Sequence, residues 1–228
     1  MAFCPFKLSF PGGFSLIGTC GSLPPFQPAL YIPMSVSTKT VTGDQFAHWI
    51  EPVAALRIRV FREFPYLYEG SVDYERHYLS RYQASKSSVL VLALDGETLV
   101  GASTGLPMNA ADPAFQVPFQ AQGLDIDAIY YFGESVLLPE YRGSGVGHRF
   151  FDERERVARE LGYTTTTFCA VVRPTDHPMR PANYRPHDQF WGKRGYQCRP
   201  DLECEYAWLD LEQEQETAKT MRFWLREW

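Results

Sequence analysis

"PEYRGSGVGHRFFDERERVARELGY", residues 139–163, sets Gly143, Gly145 and Gly147 behind an arginine and then runs on with almost no helix breaker. Each glycine in a helix costs about 1 kcal/mol relative to alanine, so three at a helix start need a reason. A helix N-terminus offers unpaired N–H groups and the positive end of the dipole. Glycines there let an anion approach the backbone, and successive N–H groups can form a nest around it. Arg142 adds a positive charge. The segment therefore predicts a phosphate or pyrophosphate at residues 142–148. The alternative is a tight strand-to-helix turn whose glycines serve packing alone. Two nucleotide fingerprints fail here: GxxxxGK[ST] finds His148 instead of lysine after Gly147, and GxGxxG would need glycine at 148. The pattern R-x-x-G-x-G remains, met by Arg142, Gly145 and Gly147.

Upstream, "AIYYFGESVLL" reads as a strand feeding this loop. Downstream, Val146, Phe150, Val157 and Leu161 share one helix side, Glu155 and Arg159 form a solvent-facing i,i+4 pair, and Gly162 ends the helix. "TTTTFCAVV" is a β-branched strand. Further out, "SSVLVLALDGETLVGASTG" is a hairpin turning at Asp95-Gly96. Ahead of it, Asp44 is a candidate cap. A helix runs from about Pro52 to Phe64, with Val53, Leu56, Val60, Phe61 and Phe64 in the core and Pro65 as its stop. A second helix spans Val72 to Tyr82. "MNAADPAFQVPFQAQGLD" reads as a proline-bearing loop. "HDQFWGKRGY" is a short helix, and "LECEYAWLDL" and "KTMRFWLREW" are the last strands. The order predicts a mixed α/β fold: a central twisted sheet flanked by helices, with a parallel strand pair around the glycine-loop helix.

The 228 residues carry a net charge of −5, which argues against a nucleic-acid partner needing a basic face. No stretch of eighteen apolar residues predicts a membrane span. Five scattered cysteines without a CxxC pair read as reduced thiols of a cytoplasmic protein. Residues 1–33 hold six prolines, four glycines and no acidic residue. They read as a disordered leader, or as sequence ahead of a true start at Met34, with the domain over 34–228.

"VLLPEYRGSGVGHRFF" resembles motif A of the GNAT superfamily of N-acetyltransferases, and "FWGKRGY" is similar to that family's late "FYEKxGF" segment. The resemblance spans about residues 40–226. It implies acetyl-CoA as co-substrate, with Arg142, Gly143, Ser144, Gly145, Val146, Gly147 and His148 around the pyrophosphate. It implies that the backbone of Val136 and Leu137 pairs with the pantetheine arm, in a splay between this strand and "TTTTFCAVV". It also exposes two departures: Trp191 stands where the family places a general-acid tyrosine. Tyr184 stands where an asparagine is frequent, with Asn183 one position off.

Acetyl transfer to an amine needs a base or a water chain to take the amine proton. Glu134, just before the loop, is the candidate base; the alternative is a solvated or salt-bridged strand glutamate. Glu140 reads as a surface residue. His177 and His187 lie in a proline- and arginine-rich loop, without the spacing of a metal site. Cys169 reads as a buried small hydrophobe. In the resembled family the first two helices border the acceptor, which makes Tyr66 and Tyr68, on their connecting turn, candidate acceptor-site residues. The expectation is a monomeric or homodimeric N-acetyltransferase acting on a small amine. The alternative is an acyl-CoA-binding module of the same fold with little or no turnover.

Overall fold

The Asp95-Gly96 hairpin organises one side of the sheet. In the computed structural model, which describes residues 36–228, β2 (Val89–Asp95) and β3 (Thr98–Pro107) pair antiparallel with Asp95 opposite Thr98, and Gly96 takes φ 59°. Val89 to Ala93 are all buried, so both faces of β2 need cover. β1 (Val36–Val41) pairs antiparallel with β2, and β4 (Ile129–Leu137) with β3. β5 (Thr165–Val171) lies parallel to β4, as expected. The hairpin of β6 (Gln197–Trp208) and β7 (Thr217–Glu227) completes the sheet, in the order β1-β2-β3-β4-β5-β7-β6. The reading of residues 1–33, with Cys4 and Cys20, falls outside the described residues.

The helices are α1 (Ile50–Phe61), α2 (Val72–Ala84), α3 (Pro113–Ala121), α4 (Val146–Glu160) and α5 (Asp188–Lys193). Successive residues of β4 show which face each helix covers. Phe132 packs against Phe151 of α4. Beside Gly133, a Cβ would meet the hydroxyl of Tyr82 from α2 at 1.9 Å. So α4 covers one face, and α2 with α1 the other. α3 joins the second face through Phe115, whose ring lies 5.2 Å from that of Tyr131.

Several expectations are corrected. β1 was not anticipated, because "VSTKTV" is short and polar at its centre. Asp44 is not a helix cap: it lies inside a 3₁₀ turn, Gly43–Trp49, that has no side-chain cap. α1 stops at Phe61 rather than Phe64. A residue before proline is pushed out of the helical region, so the helix has to finish ahead of Pro65. Phe64 then packs on Tyr184 outside the core, and Phe61 is half-buried. The segment read as a loop contains α3. Asp112 accepts from the Ala114 N–H, and Pro113 sits in the first turn, where its missing donor costs nothing. Pro118 is tolerated in the interior because Phe115 and Phe119 anchor the helix in the core.

α4 is rotated from its expected setting. Its buried stripe runs Val146, Phe150, Arg154 and Ala158, with Phe151 and Glu155 beside it, whereas Leu161 is 47% exposed. Glu155 is buried rather than solvent-facing. It accepts from Arg194 Nη2 at 2.9 Å, Tyr196 Oη at 3.1 Å and Arg226 Nη1 at 3.3 Å. The carboxylate thus ties α4 to the residues after α5 and to β7. Glu155→Ala removes the shared acceptor and leaves Arg194 with Asp152 and Tyr196 with Thr166, so it should cost about 2 kcal/mol of unfolding free energy. Urea denaturation of the purified variant checks this.

Candidate active site

β4 and β5 pair only at Ile129–Thr165, Tyr130–Thr166 and Tyr131–Thr167. Past Tyr131 the strands have no register with each other, although both continue. This is the splay that the family resemblance implied, and it leaves one edge of β4 unpaired. On the other edge Val136 pairs with Ala102 and Leu137 with Gly101. A bulge occurs in the same stretch: Ser103 faces Ser135 and Gly105 faces Phe132, so Gly133 and Glu134 together oppose Thr104. Bulges re-aim side chains. This one is clamped from the α4 side by the buried Arg154. Its Nη1 donates to the carbonyls of Glu134 and Thr104 at 3.1 and 3.2 Å, and its Nη2 to Ser135 Oγ at 2.8 Å. Burial lowers the Arg154 pKa to about 10, so it remains a cation at neutral pH.

Glu134 itself is buried on the α1–α2 side. Its Oε2 lies 2.7 Å from Arg57 Nη1 and accepts from Tyr78 Oη at 3.0 Å. Arg57 Nε also donates to Glu75 Oε2 of α2. The guanidinium stacks 4.1 Å from the centre of the Tyr78 ring. Burial alone would lower the Arg57 pKa, but Glu134 and Glu75 carry it well above its ordinary value. Glu134 is thus the salt-bridged strand glutamate of the alternative reading, and it lines a cavity rather than facing solvent. Tyr78 and Tyr82 share a 2.8 Å hydrogen bond, and burial pushes both phenols up, so they stay protonated.

Arg57 and Glu75 were not identified from the sequence. The signal was present: Arg57 continues the buried stripe of Val53, and Glu75 precedes Leu79 and Tyr82 at helical spacing. Opposite charges on the apolar stripes of neighbouring helices mark a buried pair.

Tyr66 and Tyr68 both line the cavity beside Glu134. Their turn is fastened to the β6–β7 side. Arg173 donates to the carbonyls of Pro65 and Tyr66 and to both oxygens of Asp210, each at 2.8 Å. Trp208 Nε1 also donates to the Tyr66 carbonyl, at 3.0 Å. Phe61, expected in the core, is part of the same cavity wall. Cys169 lines it too, 3.3 Å from Tyr131 Oη, with its thiol pushed up to about 12 by burial, which makes it inert.

At the end of β4 the glycine loop is open. Gly143 and Gly145 adopt φ 76° and 84°, and nothing lies within 4 Å of a Cβ placed on either. Gly145 caps α4 without a side-chain hydrogen bond. Ser144 Oγ is turned inward, donating to the Tyr141 carbonyl at 2.5 Å. Arg142 is not a free charge: Nη1 pairs with Glu63 Oε2 at 2.7 Å and Nε donates to the Leu137 carbonyl. The His148 N–H is used by the Gly145 carbonyl, and its ring packs on Phe190. Backbone rather than free side-chain charge therefore lines the open part of this loop.

Trp191 lies 5.1 Å from both Phe168 and Trp224 and 5.6 Å from His187, ring centre to ring centre. It fills space between α5 and the sheet. Burial and the nearby Arg142 lower the His187 pKa, which keeps that imidazole neutral at pH 7. His177 is turned toward the Met179 N–H and Phe64. Glu140 is exposed, 3.6 Å from Arg59. Cys169, Cys198 and Cys204 are free thiols. Among the described residues no cluster suited to a metal ion is found, and no helix is long and apolar enough to cross a membrane. Replacing Arg57 by methionine would leave Glu75 and Glu134 buried without their counter-ion. The variant should lose about 4 kcal/mol of stability in urea unfolding, far more than removal of the exposed Arg59.

Comparison with known proteins places this geometry. No curated protein matches the chain in sequence at a significant level. Among solved structures, a ribosomal-protein-alanine N-acetyltransferase from Brucella melitensis superposes with a TM-score of 0.56 at 11% identity, covering 84% of this chain and 99% of that one. A polyamine N-acetyltransferase from Drosophila melanogaster gives 0.54 at 12% identity, covering 85% and 100%. A Salmonella typhimurium protein solved with its cofactor acetyl-CoA gives 0.52 at 7% identity, covering 83% and 93%. At these identities the likeness is one of fold. The profile of the Acetyltransferase (GNAT) family matches residues 54–182, more than half of the sequence, and the chain belongs to that family.

Proposed function

We propose that the protein transfers an acetyl group from acetyl-CoA to the amine of a small acceptor, with Glu134 taking the amine proton directly or through water. One observation carries the reading: a single strand, β4, joins an open glycine loop to a bulge that turns a buried carboxylate into an aromatic cavity. Acetyl-CoA would supply an activated acetyl thioester, and its pyrophosphate fits the uncapped backbone from Gly143 to Gly147. The unpaired edge of β4 near Val136 and Leu137 would take the pantetheine arm. In direct transfer the acceptor nitrogen bonds to the acetyl carbon, the carbon–sulfur bond breaks, and the amine proton passes to Glu134. Tyr78 and Arg57 hold Glu134 in place for that step. Trp191 cannot protonate the leaving thiolate. A thiol with a pKa near 8.5 needs little help to leave, however, and water can return its proton.

The packing of Trp191 also keeps in view the second reading, an acyl-CoA-binding module without efficient turnover. Release of free thiol in the presence of amines separates the two, since the module would bind CoA and release none.

Two variants test the assignment. Glu134→Gln keeps shape and hydrogen bonding but removes basicity, so turnover should fall by at least about a hundredfold while calorimetric CoA affinity stays level. Gly147→Ala is the cleaner loop variant. Gly145 has φ 84°, so a side chain there would mix lost binding with backbone strain. At Gly147 a Cβ meets only Phe190, at 3.6 Å. Gly147→Ala should leave the unfolding midpoint nearly unchanged and weaken CoA at least about tenfold, because the backbone approach is blocked. Unchanged affinity would remove the loop from the cofactor site.

A further inference from the structure

The cavity beside Glu134 carries more information than the presence of a base. It encloses about 80 Å³. Its walls are largely aromatic, with Tyr66, Tyr68, Tyr74, Phe115, Tyr206 and Trp208 among them. The charged residues lining it are Arg57, Glu75 and Glu134: one positive against two negative, leaving one negative charge unbalanced. Glu75 Oε1, Glu134 Oε1 and Arg57 Nη1 are all buried without a hydrogen-bond partner among the described residues, so the unmatched acceptors here outnumber the unmatched donors. Buried acceptors without donors are costly to leave so, and an ammonium group brings three donors and the missing positive charge. The aromatic faces favour a cation as well.

Building on the acetyltransferase reading, we infer that the acceptor is a compact, apolar primary amine with no carboxylate beside its nitrogen, and that Glu75 is a specificity-determining residue that rejects amino acids. A carboxylate next to the amine would enter a site that is already net negative and whose one cation is compensated twice. One ammonium group already balances the charge of the lining, so a second cation at the far end of the acceptor would find no further carboxylate. An apolar body of short or branched alkyl character matches the walls.

Isopentylamine and L-leucine share one carbon body and differ by the α-carboxylate, and putrescine replaces the apolar end with a second cation. Initial rates of thiol release with acetyl-CoA should give isopentylamine a kcat/KM at least about tenfold above either of the others. A preference for leucine or putrescine would overturn the acceptor class while leaving acetyl transfer standing. Thermal shifts of the CoA-loaded protein with the same three ligands provide a readout independent of turnover. A shift with isopentylamine alone, without thiol release, would support the class and overturn the transfer reading. No shift and no turnover with isopentylamine, while CoA binds, would overturn the class. Glu75→Gln removes the unbalanced charge without changing shape, and circular dichroism checks that it is folded. In it the preference over leucine should shrink by at least about threefold. An unchanged ratio would show that Glu75 does not set the selectivity.

Discussion

Arg57 sits between two buried carboxylates contributed by different elements, Glu75 of α2 and Glu134 of β4. A guanidinium in the interior is unfavourable unless its charge is matched, and here that requirement fixes three elements relative to one another. α1 brings the cation, α2 the first anion, and the bulged strand the second. The aromatic rings of Tyr78 and Phe61 close over the guanidinium at 4.1 and 5.0 Å and exclude water from it. With these groups in place the cavity has a floor, and the turn carrying Tyr66 and Tyr68 has something to close against.

The other side of the sheet holds the same strand by the same kind of contact. Arg154 of α4 donates to carbonyls on either side of the bulge, while the N-terminus of α4 is the glycine loop. The helix that begins at the glycine loop is therefore also the helix that sets the shape of β4 at Glu134. Two buried arginines, one on each face, make the bulge a rigid feature. Glycine loop and carboxylate become parts of one assembly.

Late residues complete it from a distance. Arg194 and Tyr196 converge on Glu155, fixing α4 against α5 and β7. Arg173 and Asp210 fasten the turn between α1 and α2 to the β6–β7 hairpin. Trp191, which replaces a proton donor in the family pattern, is used for packing against Phe168 and Trp224.

The sequence by itself determined the features that depend on local rules. Turn chemistry at Asp95-Gly96 set the hairpin, glycine spacing behind Arg142 marked the loop and the helix start, and β-branched runs marked the strands flanking that helix. Tyr66 and Tyr68 were singled out through the family resemblance, in which the first two helices border the acceptor, and both line the cavity beside Glu134. Tertiary structure decided what charge and proline were doing. Glu155 read as a solvent-facing residue, and Arg57, Glu75 and Arg154 drew no reading, because a charged side chain is stable inside only when a partner from elsewhere in the chain meets it. α3 was hidden for a related reason: its prolines argue against a helix locally, and only the burial of Phe115 and Phe119 against distant strands outweighs them. The position of Glu134 was visible as a residue before the loop. Its direction was not, because a bulge exists only in the register of β4 against β3.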